Sequence, residues 1–227
     1  LSVQLDPAEG SAPRFTPDQL RLLRAAGRPL SWSDGDVLLH QGTPATSLIL
    51  VLDGLVKVTA TSPNGYTAVL AMRGAGELLG ELSCVDGRPR SATATAQSTG
   101  GGVTVAATRF VQLLQQHGPL ALAVLRSVTA RLRHADRLRA EHGAYTAELR
   151  VAWVLLELAE QHGAPVPGRP GWLEVQVSQQ DLAGAAGTSL ASVVRTLRAL
   201  RAEGLVSPTR GRVTVLDPQA LARWEGT

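Results

Sequence analysis

From Leu30 to about Val105 the apolar residues come in short runs, some alternating and some continuous: Val37-Leu38-Leu39, Ser47 to Leu52, Leu55 to Val58 and Thr67 to Ala71. Turn-forming clusters separate them at close intervals, at Asp34-Gly35-Asp36, Gln41-Gly42, Asp53-Gly54, Pro63-Asn64-Gly65 and Gly74-Ala75-Gly76. Many short strands at such spacing predict an all-β barrel or jelly roll. Gly100-Gly101-Gly102 is expected to be the turn into its last strand. Ahead of the strands, the residues through Gly10 are expected to be disordered. Thr16 to Ala26 reads as a short helix opening at Thr-Pro.

The period changes after Leu120. Val124, Leu125, Val128, Leu132, Ala135 and Leu138 recur at threes and fours up to His142, and Arg126, Arg131, Arg133, Arg137 and Arg139 ring the other sides. A narrow stripe on a long helix calls for a second helix, most simply its own copy in a dimer; the alternative is a helix lying on its own β-domain. Gly143 is expected to end the helix and Ala144 to Thr146 to form a hinge, with Thr146 capping a helix over Ala147 to Gln161. Residues 163–171 are too rich in Pro and Gly for regular structure, and a strand is expected from Leu173 to Val177.

Ser178-Gln179-Gln180-Asp181 has capping-box spacing and opens a helix through Ala186; Gly187 permits a sharp turn, and Ser189 caps a second helix with Val193, Leu197 and Leu200 facing inward. Ala183 is small enough for the two helices to cross closely. This is helix-turn-helix spacing, in which early residues of the second helix meet base edges in the major groove. Gly204 to Leu216 then reads as a two-stranded wing with Arg210 and Arg212 near its tip; a hairpin that merely closes the domain is the alternative.

Composition narrows the class. The 227 residues are 44% hydrophobic and 18% charged, as in a soluble globular protein of one large or two ordinary domains. No apolar stretch is long enough to cross a bilayer and no secretion signal is evident, so the cytoplasm is the expected compartment. A single cysteine, Cys84, excludes an intramolecular disulfide and any multi-cysteine cluster. Net charge is only +3, but residues 188–212 carry Arg195, Arg198, Arg201, Arg210 and Arg212 against Glu203 alone. Such local excess suits a polyanion-binding surface. No nucleophile–base pair, metal set or Walker-type loop points to an enzyme.

The densest chemistry is Gly80-Glu81-Leu82-Ser83 followed by Arg90-Ser91-Ala92-Thr93-Ala94, joined by Asp86-Gly87-Arg88-Pro89. Arg90 and Ser91 can neutralise and hydrogen-bond a phosphate. Glu81 can only accept, which suits ribose hydroxyls. A surface ion pair beside a hairpin is the alternative.

These residues resemble the phosphate-binding cassette of the cyclic-nucleotide-binding domain in the CRP/FNR family of bacterial transcription regulators, and the likeness extends from about Leu30 to Leu216. It implies an α+β chain: a cyclic-nucleotide-binding β-jelly roll over 1–118, a dimerisation helix over 119–143 and a winged helix-turn-helix domain over 147–227. It implies that Arg90 and Ser91 hold a cyclic phosphate, Glu81 the ribose 2′-hydroxyl, and backbone groups at Gly80 and Leu82 complete the cradle. At the positions where catabolite-activating members hold adenine with a Thr and a Ser, this chain has Ala135 and Asp136. Asp136 can accept from an exocyclic amine, with Arg133 or His134 nearby. The expected effector is cAMP first and cGMP second, with no metal; a cyclic dinucleotide, a haem or redox sensor, or a pocket without ligand are the alternatives. Cys84 reads as a packed thiol.

The resemblance further implies a homodimer on a palindromic duplex, with effector and operator strengthening each other's binding through the 143–146 hinge. Where family members read bases with an adjacent Arg and Glu and a later Arg, this chain has Leu190, Ala191 and Arg195. Arg195 suits guanine, and Leu190 and Ala191 suit a thymine methyl. Ser178, Gln180, Ser192, Arg198 and Arg210 are expected phosphate contacts. The 163–171 loop corresponds to one that touches RNA polymerase in relatives, a passive connector being the alternative. An interaction module that no longer reads DNA is the remaining reading.

Overall fold

In the computed structural model the chain forms two compact units, residues 12–130 and 131–227. Residues 15–65 and 67–226 are described, without the side chains of 138–144; the segment expected to be disordered and the side chain of Leu138 lie outside them.

The first unit opens with α1 (Pro17–Ala25). Thr16 Oγ1 accepts from Gln19 N at 3.3 Å and Gln19 Oε1 accepts from Thr16 N at 2.9 Å, a reciprocal cap. Eight strands follow: β1 (Arg28–Trp32), β2 (Val37–Leu39), β3 (Ser47–Asp53), β4 (Val56–Thr61), β5 (Thr67–Arg73), β6 (Leu78–Leu79), β7 (Thr93–Ala96) and β8 (Gly100–Ala106). They pair antiparallel in two sheets, β1-β8-β3-β6 and β2-β7-β4-β5. This is the jelly roll expected from the turn spacing. The run in β3 is continuous because both faces are covered. Leu48 and Leu50 point to a core shared with Leu23, Phe110, Leu120 and Val124, while Ile49 and Val51 point to a second core with Trp32, Val56, Leu79, Ala94 and Ala96.

The three glycines at 100–102 are not a turn. They lie inside β8, with Gly102 opposite both Leu30 of β1 and Val51 of β3. A Cβ on Gly102 would stand 2.3 Å from the Leu50 carbonyl oxygen, and one on Gly100 would stand 2.4 Å from that of Asp53. The glycines mark close approach of neighbouring backbone, the other common reason for glycine in a strand.

A short helix, α2 (Glu81–Asp86), sits between β6 and β7, and α3 (Ala107–Gln116) follows β8. The long helix α4 (Gly118–Ala144) comes next, and the boundary between the units falls within it. Its apolar positions are not equally covered. Leu120 and Val124 are buried in the roll's core, whereas Leu125 and Leu132 are 60% and 57% exposed. Nor does Gly143 end the helix, because an interior glycine costs only about 1 kcal/mol. Tyr145 and Thr146 alone separate α4 from α5 (Ala147–His162).

In the second unit Thr146 caps α5, its Oγ1 accepting from Leu149 N at 3.3 Å. Then come β9 (Ala164–Pro165), β10 (Leu173–Val175), α6 (Gln179–Ala185), α7 (Leu190–Ala202), β11 (Val206–Thr209), β12 (Arg212–Val215) and α8 (Pro218–Ala222). The sheet order is β11-β12-β10-β9. The segment expected to be irregular therefore contributes a short strand, with Pro165 opposite Leu173, and β10 ends two residues earlier than expected. Val151, Leu155, Val175, Leu182, Val193, Leu197, Leu200, Val213 and Leu221 are all buried.

Candidate functional site

The first site is built around Arg90. Its backbone is fixed on both sides of the residue: Gly42 N donates to the Arg90 carbonyl at 2.8 Å, and Arg90 N donates to that of Thr43 at 2.9 Å. Its side chain is buried, with Nη1 donating to the Gly80 carbonyl at 2.7 Å and Nη2 to that of Ser47. A guanidinium has five N–H donors, so these two bonds leave donors for an anion. Gly80 adopts a left-handed conformation (φ 79°) at the N-cap of α2, and no side chain caps that helix. A Cβ on Gly80 would lie 2.2 Å from Arg90 Nη1, so glycine is what lets the guanidinium lie against this backbone.

Glu81, the first residue of α2 and next in sequence to the Gly80 whose carbonyl accepts from Arg90, is buried, while Leu82 and Ser91 are exposed. Cys84 is also buried here, its Sγ donating to the Ser47 carbonyl at 3.2 Å. Burial pushes its thiol pKa up, against an opposing pull from Arg90. Gly80 and Arg90 are thus joined by a hydrogen bond, and Glu81, Leu82 and Ser91 adjoin them in sequence. Ala135 and Asp136 lie on the part of α4 that belongs to the second unit, half-buried and exposed respectively. Their neighbour His134 has Nδ1 3.4 Å from Glu157 Oε1 on α5.

The second site is the α6–α7 pair. Ser178 Oγ accepts from Asp181 N at 3.0 Å and donates to Asp181 Oδ2 at 2.7 Å; Ser189 Oγ accepts from Ser192 N at 3.1 Å. Gly187 takes φ 57° between the two helices. Val193, Thr196, Leu197 and Leu200 are buried, which turns Leu190, Ala191, Arg195 and Arg198 outward. Gln180 is exposed on α6, and Arg210 is exposed on the two-residue turn between Thr209 and Arg212, which are register partners.

Two of these arginines have partners that the sequence pattern did not reveal. Arg212 Nη1 donates to Glu174 Oε1 at 3.1 Å, across from β12 to β10. Arg195 Nε lies 3.5 Å from Glu148 Oε1 on α5. Each acid is distant in sequence from its arginine, so no local motif marks the pair.

Comparison with known proteins divides the chain at the same two sites. The family described as "Cyclic nucleotide-binding domain" matches residues 29–117, and "Crp-like helix-turn-helix domain" matches residues 149–224. The "Cyclic AMP receptor protein" of Thermus thermophilus is 30% identical, over 91% of this chain and 92% of that protein. The "CRP-like cAMP-activated global transcriptional regulator" of Mycobacterium tuberculosis is 25% identical over the same shares, 91% and 92%. Among solved structures, a CRP/FNR-family transcriptional regulator from Thermus thermophilus matches with a TM-score of 0.70 at 25% identity, covering 88% of this chain and 100% of that one.

Proposed function

The chain belongs to the CRP/FNR family of transcription regulators, and on that premise we propose that cAMP is its effector, held by Glu81, Arg90 and Ser91. It carries a cyclic nucleotide-binding domain and a DNA-binding helix-turn-helix domain, and it is a regulator rather than an enzyme. The observation that supports the proposed effector site is the buried Arg90 guanidinium, whose two backbone acceptors, one of them the carbonyl of the residue before the buried Glu81, leave further donors. A cyclic phosphate satisfies the guanidinium and a ribose 2′-hydroxyl the Glu81 carboxylate.

In this reading residues 1–118 take the effector and residues 119–143 pair two copies of the chain, using the exposed Leu125 and Leu132. Residues 147–227 read a palindromic duplex through Arg195, Leu190 and Ala191, with Ser178, Gln180, Ser192, Arg198 and Arg210 on phosphates. Effector occupancy shifts the population toward the DNA-binding arrangement, so each ligand strengthens the other. cGMP is the second candidate effector, and Asp136 is the residue whose substitution is expected to change base preference.

The test is isothermal titration with cAMP and with cGMP on the intact protein and on Arg90→Leu. Micromolar cAMP binding that disappears in the variant is the expected result. No heat with either nucleotide overturns the proposed effector class.

A further inference from the structure

The first turn of α5 reaches two parts of the DNA-reading helix pair. Arg150 donates from Nη1 to the Tyr145 carbonyl at 2.9 Å, from Nε to that of Ala186 at 3.1 Å and from Nη2 to that of Gly187 at 3.3 Å. One guanidinium thereby ties the backbone ahead of α5 to the turn between α6 and α7. On the same turn of α5, Glu148 Oε1 lies 3.5 Å from Arg195 Nε. The Glu148 side chain is 22% exposed and that of Arg195 68%, so the carboxylate is seated against the fold while the guanidinium extends toward solvent. The contact is made at Nε. The two Nη groups form the end-on fork that matches O6 and N7 of guanine, at the end of a side chain that is 68% exposed.

We infer that Glu148 is a specificity-determining positioning residue, which holds Nε of Arg195 and so aims its Nη fork away from the protein for base reading. The inference rests on the DNA-binding reading of α7 given above. An unheld arginine samples many rotamers, and many of those directions meet a phosphate rather than a base edge. A seated carboxylate restricts the side chain to the orientations that keep Nε beside it. Its charge acts in the same sense: an anion next to the reading surface repels the phosphate backbone and weakens sequence-independent binding. Both effects raise the ratio of specific to non-specific affinity. An acid in the first turn of a helix is also favoured by the helix dipole, so the test has to read base preference rather than stability.

The preferred duplex is selected from a random library by the full-length protein, with and without cAMP, and the selection is repeated for Arg195→Ala, Glu148→Gln and Glu148→Asp. Arg195→Ala is expected to flatten one base-pair column, where a bidentate arginine contributes about 5- to 150-fold discrimination. Glu148→Gln is expected to flatten the same column, cutting that discrimination at least threefold, and to bind random duplex more tightly. Glu148→Asp keeps the charge but shortens the reach; its random-duplex affinity is expected to stay at the original level while the column still broadens. A column that stays sharp in both Glu148 variants while Arg195→Ala flattens it overturns the inference and leaves the DNA reading standing. An Arg195→Ala protein with unchanged base preference overturns base reading by Arg195 and the role of Glu148 with it.

Discussion

Replacing Gly80 by alanine tests the Arg90 site without touching a charge. Gly80 has φ 79°, a conformation that costs an L-residue roughly 1–2 kcal/mol. The new methyl would also stand 2.2 Å from Arg90 Nη1. The guanidinium must then move, giving up its bond to the Gly80 carbonyl, and a hydrogen bond to a charged group contributes about 1.5–3 kcal/mol. Gly87, at the other end of α2, supplies the control: its φ is 71°, yet nothing lies within 4 Å of the Cβ position. Gly87→Ala should therefore cost about 1–2 kcal/mol of backbone strain alone, and Gly80→Ala about 2.5–5 kcal/mol. Thermal melting separates the two at roughly 4 °C per kcal/mol for a unit of this size. In calorimetric titration with cAMP, displacement of Arg90 should weaken binding about 10- to 150-fold in Gly80→Ala, the equivalent of one charge-assisted hydrogen bond. Gly87→Ala should bind as the parent does. Affinities within threefold of each other for the two variants would refute the placement of the phosphate at Arg90.

Three further outcomes follow from the same structure. Gly102→Ala, whose methyl would meet the Leu50 carbonyl at 2.3 Å, should lower stability by about 1–3 kcal/mol in a denaturant titration, whereas Gly101→Ala, with its nearest neighbour at 3.3 Å, should cost far less. Arg210→Ala should weaken binding evenly across duplex sequences and reduce the slope of log K against log salt by about 0.9 for each phosphate it no longer neutralises, measured by fluorescence anisotropy. Cys84 should resist iodoacetamide near pH 9 in the folded protein and react readily in urea, because burial raises its pKa. The unfolded thiol ionises above about pH 8.5 while the folded thiol keeps its proton, so this group's contribution to stability falls as pH rises through that range. Equal labelling rates with and without urea would contradict that assignment.

Sequence reading succeeded where the physical signal is local. A hydroxyl three residues ahead of the amide it accepts from is visible in the chain itself, which is why Thr146, Ser178 and Ser189 were placed correctly as caps. Strand periodicity and glycine turns likewise gave the roll. Reading failed where one residue type serves two purposes. Gly100 to Gly102 has the composition of a turn but relieves crowding between strands, and Gly143 has the composition of a helix stop but is carried within α4. For the candidate site, Glu81, Arg90 and Ser91 were legible as a motif, but the acceptors that hold Arg90 were not. They are carbonyls of Ser47 and Gly80, and a backbone oxygen leaves no mark in the residue alphabet. Glu148 went unnoticed because its partner is 47 positions away and an acid at the start of a helix already has a local explanation.

Arg90 has one further consequence, in the entropy of effector capture. Immobilising a long arginine side chain costs up to about 2 kcal/mol of rotamer freedom. Here the fold's own backbone acceptors hold the guanidinium at both Nη groups, so the ordering belongs to folding. An arriving anion meets a receptor group with little freedom left to lose, so its binding should carry almost none of the side-chain ordering cost that a solvent-exposed arginine would impose. The roll bears that cost in advance, as part of its own folding equilibrium.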